Sequence, residues 1–131
     1  MAEVLTFDSF RPGASMGRAT EAIGGAVLES WRQLYPWDAA PAGRLPYGFA
    51  TVLMMRAYMR ILTPRPPGNI HARQHLKLLA GIAPGEEITT ELECAGKELK
   101  RERRYVELAC RATGKAGRPL FDGRMTIIWA A

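Results

Sequence analysis

The stretch Leu45–Leu62, LPYGFATVLMMRAYMRIL, joins a helix start signal to a run of apolar helix formers. Pro46-Tyr47-Gly48 opens it. Thr63-Pro64 ends it, because the residue before a proline is pushed out of the helical region. Between them the side chains are apolar on nearly every side, and Arg56 and Arg60 are the charged exceptions in the last turns. A helix that is apolar all round is a buried one. Arg56 interrupts the run well short of the roughly 20 apolar residues that a bilayer span requires. The pattern therefore predicts a core helix over 47–62, and the rest of the chain has to wrap it.

A chain of 131 residues suits one domain with its own core, placed here across 1–131. Hydrophobic content of 47% with 24% charged residues excludes a disordered tail. The net charge of +5 attracts phosphates and anionic groups but is too mild to argue for nucleic acid. The start, MAEVLTFDSF, has neither the basic leader nor the apolar centre of a secretory signal, so a cytoplasmic location without membrane attachment is expected. Cys94 and Cys110 fall at apolar positions of strand-like patterns and are expected to be free thiols.

Phe7-Asp8-Ser9-Phe10 followed by Arg11-Pro12-Gly13 reads as an extended arm closed by a turn, covering one end of the core. Thr20 has the chemistry of a helix N-cap, with Glu21 favourably placed against the dipole of the first turn. Ile23, Val27, Trp31 and Leu34 recur at helical spacing through about Gln33, which predicts an amphipathic helix. Gly24 and Gly25 weaken that helix by roughly 1 kcal/mol each relative to alanine.

Tyr35 to Pro46, YPWDAAPAGRLP, holds too many prolines for regular structure. It carries Tyr35, Trp37 and Asp38, an acid beside two large rings. A solvated turn and a binding loop held by rigid neighbours both fit that content.

From Gly68 the period changes to two. In a first strand read over Ile70 to Ile82, Ile70, Ala72, Gln74, Leu76 and Leu78 alternate with His71, Arg73, His75 and Lys77. Ile88, Thr90, Leu92 and Cys94 mark a second strand, and Val106, Leu108, Cys110 and Ala112 a third. Leu120 to Trp129 closes as a fourth. Successive strands with short turns predict an antiparallel meander with one buried face. The long apolar helix belongs on that face. The predicted class is α+β, an antiparallel sheet wrapped around a long central helix, which is the hot-dog fold.

The order of these parts resembles MaoC-like acyl-CoA hydratases and dehydratases. The resemblance is carried by the run Phe7-Asp8-Ser9-Phe10-Arg11-Pro12-Gly13, the helix after Thr20, the Asp38 loop and the 47–62 helix. The C-terminal run KRERRYVELACRATGKAGRPLFDGRMTIIWAA looks like their last two strands. It implies a protein that binds an acyl-CoA or other acyl thioester, as a homodimer or with a second hot-dog subunit. Coenzyme A would then be part of the substrate, and no separate cofactor or metal is implied.

In that family a D-x-N-P-x-H motif before the central helix carries the chemistry, aided by a backbone N–H at the helix start. Hydrating an enoyl thioester takes a base for water, an acid for the α-carbon and a donor for the enolate oxygen. The matching stretch is Asp38-Ala39-Ala40-Pro41-Ala42-Gly43. Asp38 and Pro41 keep the spacing, but Ala40 replaces the Asn and Gly43 the His. The backbone N–H of Gly48 is the candidate donor, with Tyr35, Trp37, Tyr47 and Phe49 as substrate contacts. The resemblance thus implies a hydratase or dehydratase with half its dyad missing, weak or inactive alone.

His71 is the reserve candidate for the missing base, although a solvent-facing role on a half-exposed strand suits it and His75 equally. The two lack the carboxylate or thiolate neighbours of a metal site. Lys97–Arg104, KELKRERR, reads either as a solvated hairpin or as a cradle for coenzyme A phosphates through Arg101, Arg103 and Arg104. An acyl-CoA thioesterase of the same fold is the alternative function. Such enzymes commonly use a carboxylate on the central helix, and residues 47–62 contain none.

Overall fold

A computed structural model describes residues 2–131. Its elements are β1 (Ser15–Glu21), α1 (Gly25–Leu34), α2 (Phe49–Ile61), β2 (Ile70–Leu78), β3 (Ile88–Lys100), β4 (Arg103–Thr113) and β5 (Pro119–Trp129). The strands form one antiparallel sheet in the order β1-β3-β4-β5-β2. Helix α2 lies on its inner face. There Phe49, Ala50, Leu53, Met54, Ala57 and Tyr58 are buried. All but Ala57 join Leu92, Leu108, Met125 and Ile127 of the sheet in one continuous apolar cluster.

The period-two pattern explains the sheet. Ile88, Thr90, Leu92 and Cys94 of β3 point inward, as do Val106, Leu108, Cys110 and Ala112 of β4. Each fully buried Leu, Ile, Phe or Met is worth about 1.5–3 kcal/mol over its exposed state. One glycine makes room for a helix side chain. A Cβ on Gly123 would lie 2.7 Å from Met54 Sδ, so Met54 packs into the space that the missing side chain leaves on β5. Phe10 closes one end of the core, its ring edge-on to Trp129 with centroids 4.8 Å apart.

The sequence pattern misplaces three features. Thr20 and Glu21 do not cap a helix but end β1, a strand absent from the expected four. Thr20 pairs across the sheet with Thr89, their hydroxyls 3.0 Å apart, so a β-branched residue serves the sheet rather than a cap. Glu21 faces α2, with Oε1 2.9 Å from Arg56 Nε; the N–H is not aimed at that oxygen, so the contact is Coulombic. Helix α1 begins after Gly24, which has extended backbone angles, and buries Leu28; Val27 and Leu34 are exposed.

The second difference is topological. Strands β2 and β3 are not neighbours, because the chain crosses from the β5 edge to pair β3 with β1. The third is in β2 itself. It ends at Leu78 rather than continuing to Ile82, and it is an edge strand with only Leu76 partly covered. A bulge between His71 and Arg73 breaks its alternation, so His71 lies opposite Ile127 and Arg73 opposite Thr126. The bulge thereby separates His71 from the outward row of Arg73, His75 and Lys77.

Cys94 and Cys110 are free and buried. Burial pushes the Cys110 thiol up to about 12, aided slightly by Asp122, so it is neutral at any physiological pH. Ellman's reagent at pH 8 should leave Cys110 unmodified in the native protein and label it once urea unfolds the chain. Leu53→Ala should cost about 2–5 kcal/mol of unfolding free energy by urea titration. Met59→Ala, on the exposed side of α2, should stay within about 0.5 kcal/mol.

Candidate functional site

The first turn of a helix leaves backbone N–H groups without partners. At the start of α2 one of them is answered from a distance. Gly48 N–H donates to Asp38 Oδ2 at 3.0 Å. The indole Nε1–H of Trp31, on α1, donates to the same oxygen at 3.0 Å. Two donors from separate elements thus converge on one carboxylate oxygen in a part-buried position. A carboxylate with such donors also complements the positive end of the helix dipole.

Gly48 is the residue this arrangement demands. A Cβ there would run into the Trp31 ring and stand 2.7 Å from Asp38 Oδ2. Trp31 is held in place from two sides, with ring centroids 4.7 Å from Phe49 beneath it and 4.5 Å from Tyr35 above. Trp37 packs edge-on to Tyr35 at 5.8 Å and is 78% exposed. The loop therefore leans its aromatic residues on α1 and leaves the Asp38 carboxylate at the helix start.

Two clefts border this point. One of about 350 Å³ is lined by Asp38, Gly43, Arg44, Tyr35, Arg32 and Pro84. The other, of about 250 Å³ and mainly apolar, lies between the start of α2 and the end of β2, against Tyr47, Ala50, Leu78, Leu79 and Ile82. Arg44 and Pro46 line both. Arg44 crosses close over Gly81, in the space that the missing side chain leaves, and forms no ion pair among the described residues.

Solved structures give the architecture a name. A MaoC-like dehydratase from Rhodospirillum rubrum superposes with a TM-score of 0.77, at 16% identity, over 97% of this chain and 98% of that one. The R-hydratase PhaJ1 of Pseudomonas aeruginosa gives 0.71 at 20% identity, over 95% and 84%. The 3R-hydroxyacyl-ACP dehydratase complex HadBC of Mycobacterium tuberculosis gives 0.70 at 12% identity, over 89% and 96%. This is the MaoC-like hot-dog fold. No family model and no curated sequence matches the chain.

Within this hot-dog frame the residues singled out from sequence fall into two groups. Asp38, Gly48, Tyr35, Trp37 and Tyr47 gather around the start of α2. Phe49 is there too, but it is 0% exposed beneath Trp31 and has no face open to a ligand. Its expected substrate contact is replaced by a supporting one. The Gly48 N–H is likewise not free, because Asp38 already occupies it.

The second group lies elsewhere. His71 begins β2, whereas the cleft adjoins its end at Leu78; at about 3.3 Å per residue the separation is about 20 Å. His71 therefore cannot serve as the base for Asp38 within one chain. Arg101, Arg103 and Arg104 sit at the β3–β4 hairpin, at the same far end, where Arg104 donates to the carbonyl of Ala130. Arg101 instead borders an outer-face depression with Arg73 and Tyr105. The phosphate cradle expected of these three does not adjoin the Asp38 site. Arg32 and Arg44 are the cations that do.

Trp31 is the residue that sequence reading passed over as core. Its indole N–H was the available signal, since a buried tryptophan needs a partner for it. Among the described residues no helix is long and apolar enough to cross a membrane, and no cluster of three metal-ligating side chains occurs.

Asp38→Ala would strand two part-buried donors and should cost about 1–3 kcal/mol in urea unfolding. Asp38→Asn keeps an acceptor oxygen and should lose less than half of that. Equal losses in the two variants would show that negative charge, rather than hydrogen bonding, holds the helix start.

Proposed function

We propose that the chain binds an acyl thioester at the start of α2 and hydrates an enoyl thioester poorly or not at all when alone. The observation that supports this reading is the convergence of the Gly48 and Trp31 N–H groups on a single oxygen. Donors at 2.7–3.1 Å from an oxygen that carries negative charge are what an enolate oxygen requires. In this reading the thioester oxygen replaces Asp38 Oδ2, and the acyl chain follows the apolar cleft past Tyr47, Ala50 and Leu78. Displaced Asp38 is then free to accept a proton from water. Arg44 stands where a phosphate of the carrier would leave the cleft.

The chemistry needs a second proton-transfer group. As water adds to the β-carbon, its proton goes to a base, and the α-carbon must receive one in turn. With Ala40 and Gly43 in the loop, Asp38 would have to do both. A positioned acid or base typically contributes 10²–10⁴-fold, which sets the scale of what is missing. The thioesterase alternative has less support. It lacks a carboxylate on α2, where Phe49–Ile61 has neither Asp nor Glu.

The reading is tested by titrating acyl-CoA calorimetrically and by following the loss of enoyl-CoA absorbance. Binding should be measurable and should weaken in Trp31→Phe, which keeps the ring and removes the donor. Crotonyl-CoA turnover should be near background in the wild type and rise in Ala40→Asn with Gly43→His. Robust turnover that collapses in Asp38→Asn would make this a single-carboxylate enzyme. No acyl-CoA binding at all would sink the reading.

A further inference from the structure

The apolar cleft beside Tyr47 has one wall of helix and one of loop. Tyr47 and Ala50 stand at the start of α2. Facing them is Leu78 to Ile82, which beyond Leu78 belongs to no helix or strand. Backbone hydrogen bonds hang this loop at both ends. The N–H groups of Leu79 and Ala80 donate to the carbonyl of Leu120 at 2.9 and 3.2 Å, and that of Leu45 donates to the carbonyl of Ile82 at 2.7 Å. Gly81, between them, is held by a side chain instead. Arg118 Nη1 donates to its carbonyl at 3.0 Å, while Arg44 fills the place of its missing side chain.

The same guanidinium grips the loop a second time. Arg118 Nη2 donates to both carboxylate oxygens of Glu86, at 2.8 and 2.9 Å. Glu86 Oε1 also accepts the N–H of Ala83 at 3.1 Å, and Oε2 that of Lys115 at 3.2 Å. Each oxygen thus has two donors, and the carboxylate stitches its own loop to the turn before β5. The Glu86 side chain is only 10% exposed. A covered, multiply bonded carboxylate holds its partners more firmly than a solvated ion pair does. An open depression of about 750 Å³ borders the clasp, between Pro84, Glu87, Lys115 and Arg118. It leaves room for the loop to swing outward once released.

We propose that Glu86 and Arg118 are positioning residues that fix the loop wall of the apolar cleft and so determine how strongly acyl-chain length is read. The inference rests on the acyl-thioester reading and adds to it the groups that set its selectivity. Neither residue lines the cleft, so both act through Gly81 and Ile82. A wall already in place takes up each entering methylene at full value, which tightens binding about fourfold per methylene. A released wall must be ordered around the chain, and that ordering consumes part of each gain.

The test measures Kd calorimetrically for acetyl-, butyryl-, hexanoyl- and octanoyl-CoA. Arg118→Met keeps an apolar stem and removes every donor. In that variant the gain should fall from about fourfold to about twofold or less per methylene. Arg118→Lys keeps the charge without the fork that spans Gly81 and Glu86, so it should recover only part of the gain. Hydrogen exchange should show the amides of 79–86 opening at least about tenfold faster in Arg118→Met, with those of α2 still protected. Glu86→Gln, a milder change in the same direction, carries the test if Arg118→Met does not fold. An unchanged gain per methylene in a variant whose loop exchanges faster would overturn the proposal, as would a wild type indifferent to chain length. A wild type that binds no acyl-CoA at all would instead remove the thioester reading beneath it.

Discussion

Helix α2 has to be out of water on one whole side, and a single sheet curving past it is what removes it. Met54 packs over the space that Gly123 leaves on β5, and the apolar rows of β3, β4 and β5 close around the helix. Once the helix is sunk in this way, its first turn is no longer free to be solvated. The loop before it must provide an acceptor, and α1 must provide a lid. Trp31, Asp38 and Gly48 are the answer to that demand.

The same three residues serve two ends that pull against each other. As long as Asp38 holds both N–H groups, the helix start is satisfied and the oxygen site is filled. A ligand oxygen can enter only by exchanging places with the carboxylate. Its net gain is the difference between two hydrogen-bonded states rather than the full strength of two bonds. Such a site favours a ligand that brings much apolar area with it, and the cleft beside Tyr47 offers a place for that area.

The sheet resolves its two edges differently. Strand β1 is bound to the helix side, with Glu21 against Arg56 and Gly17 close under Ile61. Strand β2 is covered only in part, at Leu76, and its cations have no carboxylate within ion-pair distance among the described residues. Charge on an exposed edge guards against indiscriminate pairing.

The core helix, the inward rows of β3 to β5 and the nearness of Asp38 to the helix start were all legible in residue order, because periodicity and turn chemistry are local. Burial of the helix on every side was not met, since Thr51 and Met59 on its outer side stay exposed. Thr20 was misread for the same reason. A β-branched residue followed by an acid satisfies the local rule for a cap, and only its partner Thr89, far away in sequence, makes it a strand. The bulge in β2 has no local signature, so the side on which His71 lies was set by pairing with β5. Strand order, and with it the distance of His71 and Arg101 from Asp38, comes from a crossover that no window of sequence contains. The meeting of Trp31, Asp38 and Gly48 on one oxygen is of that kind: three separate segments, brought together by burial of the helix they surround.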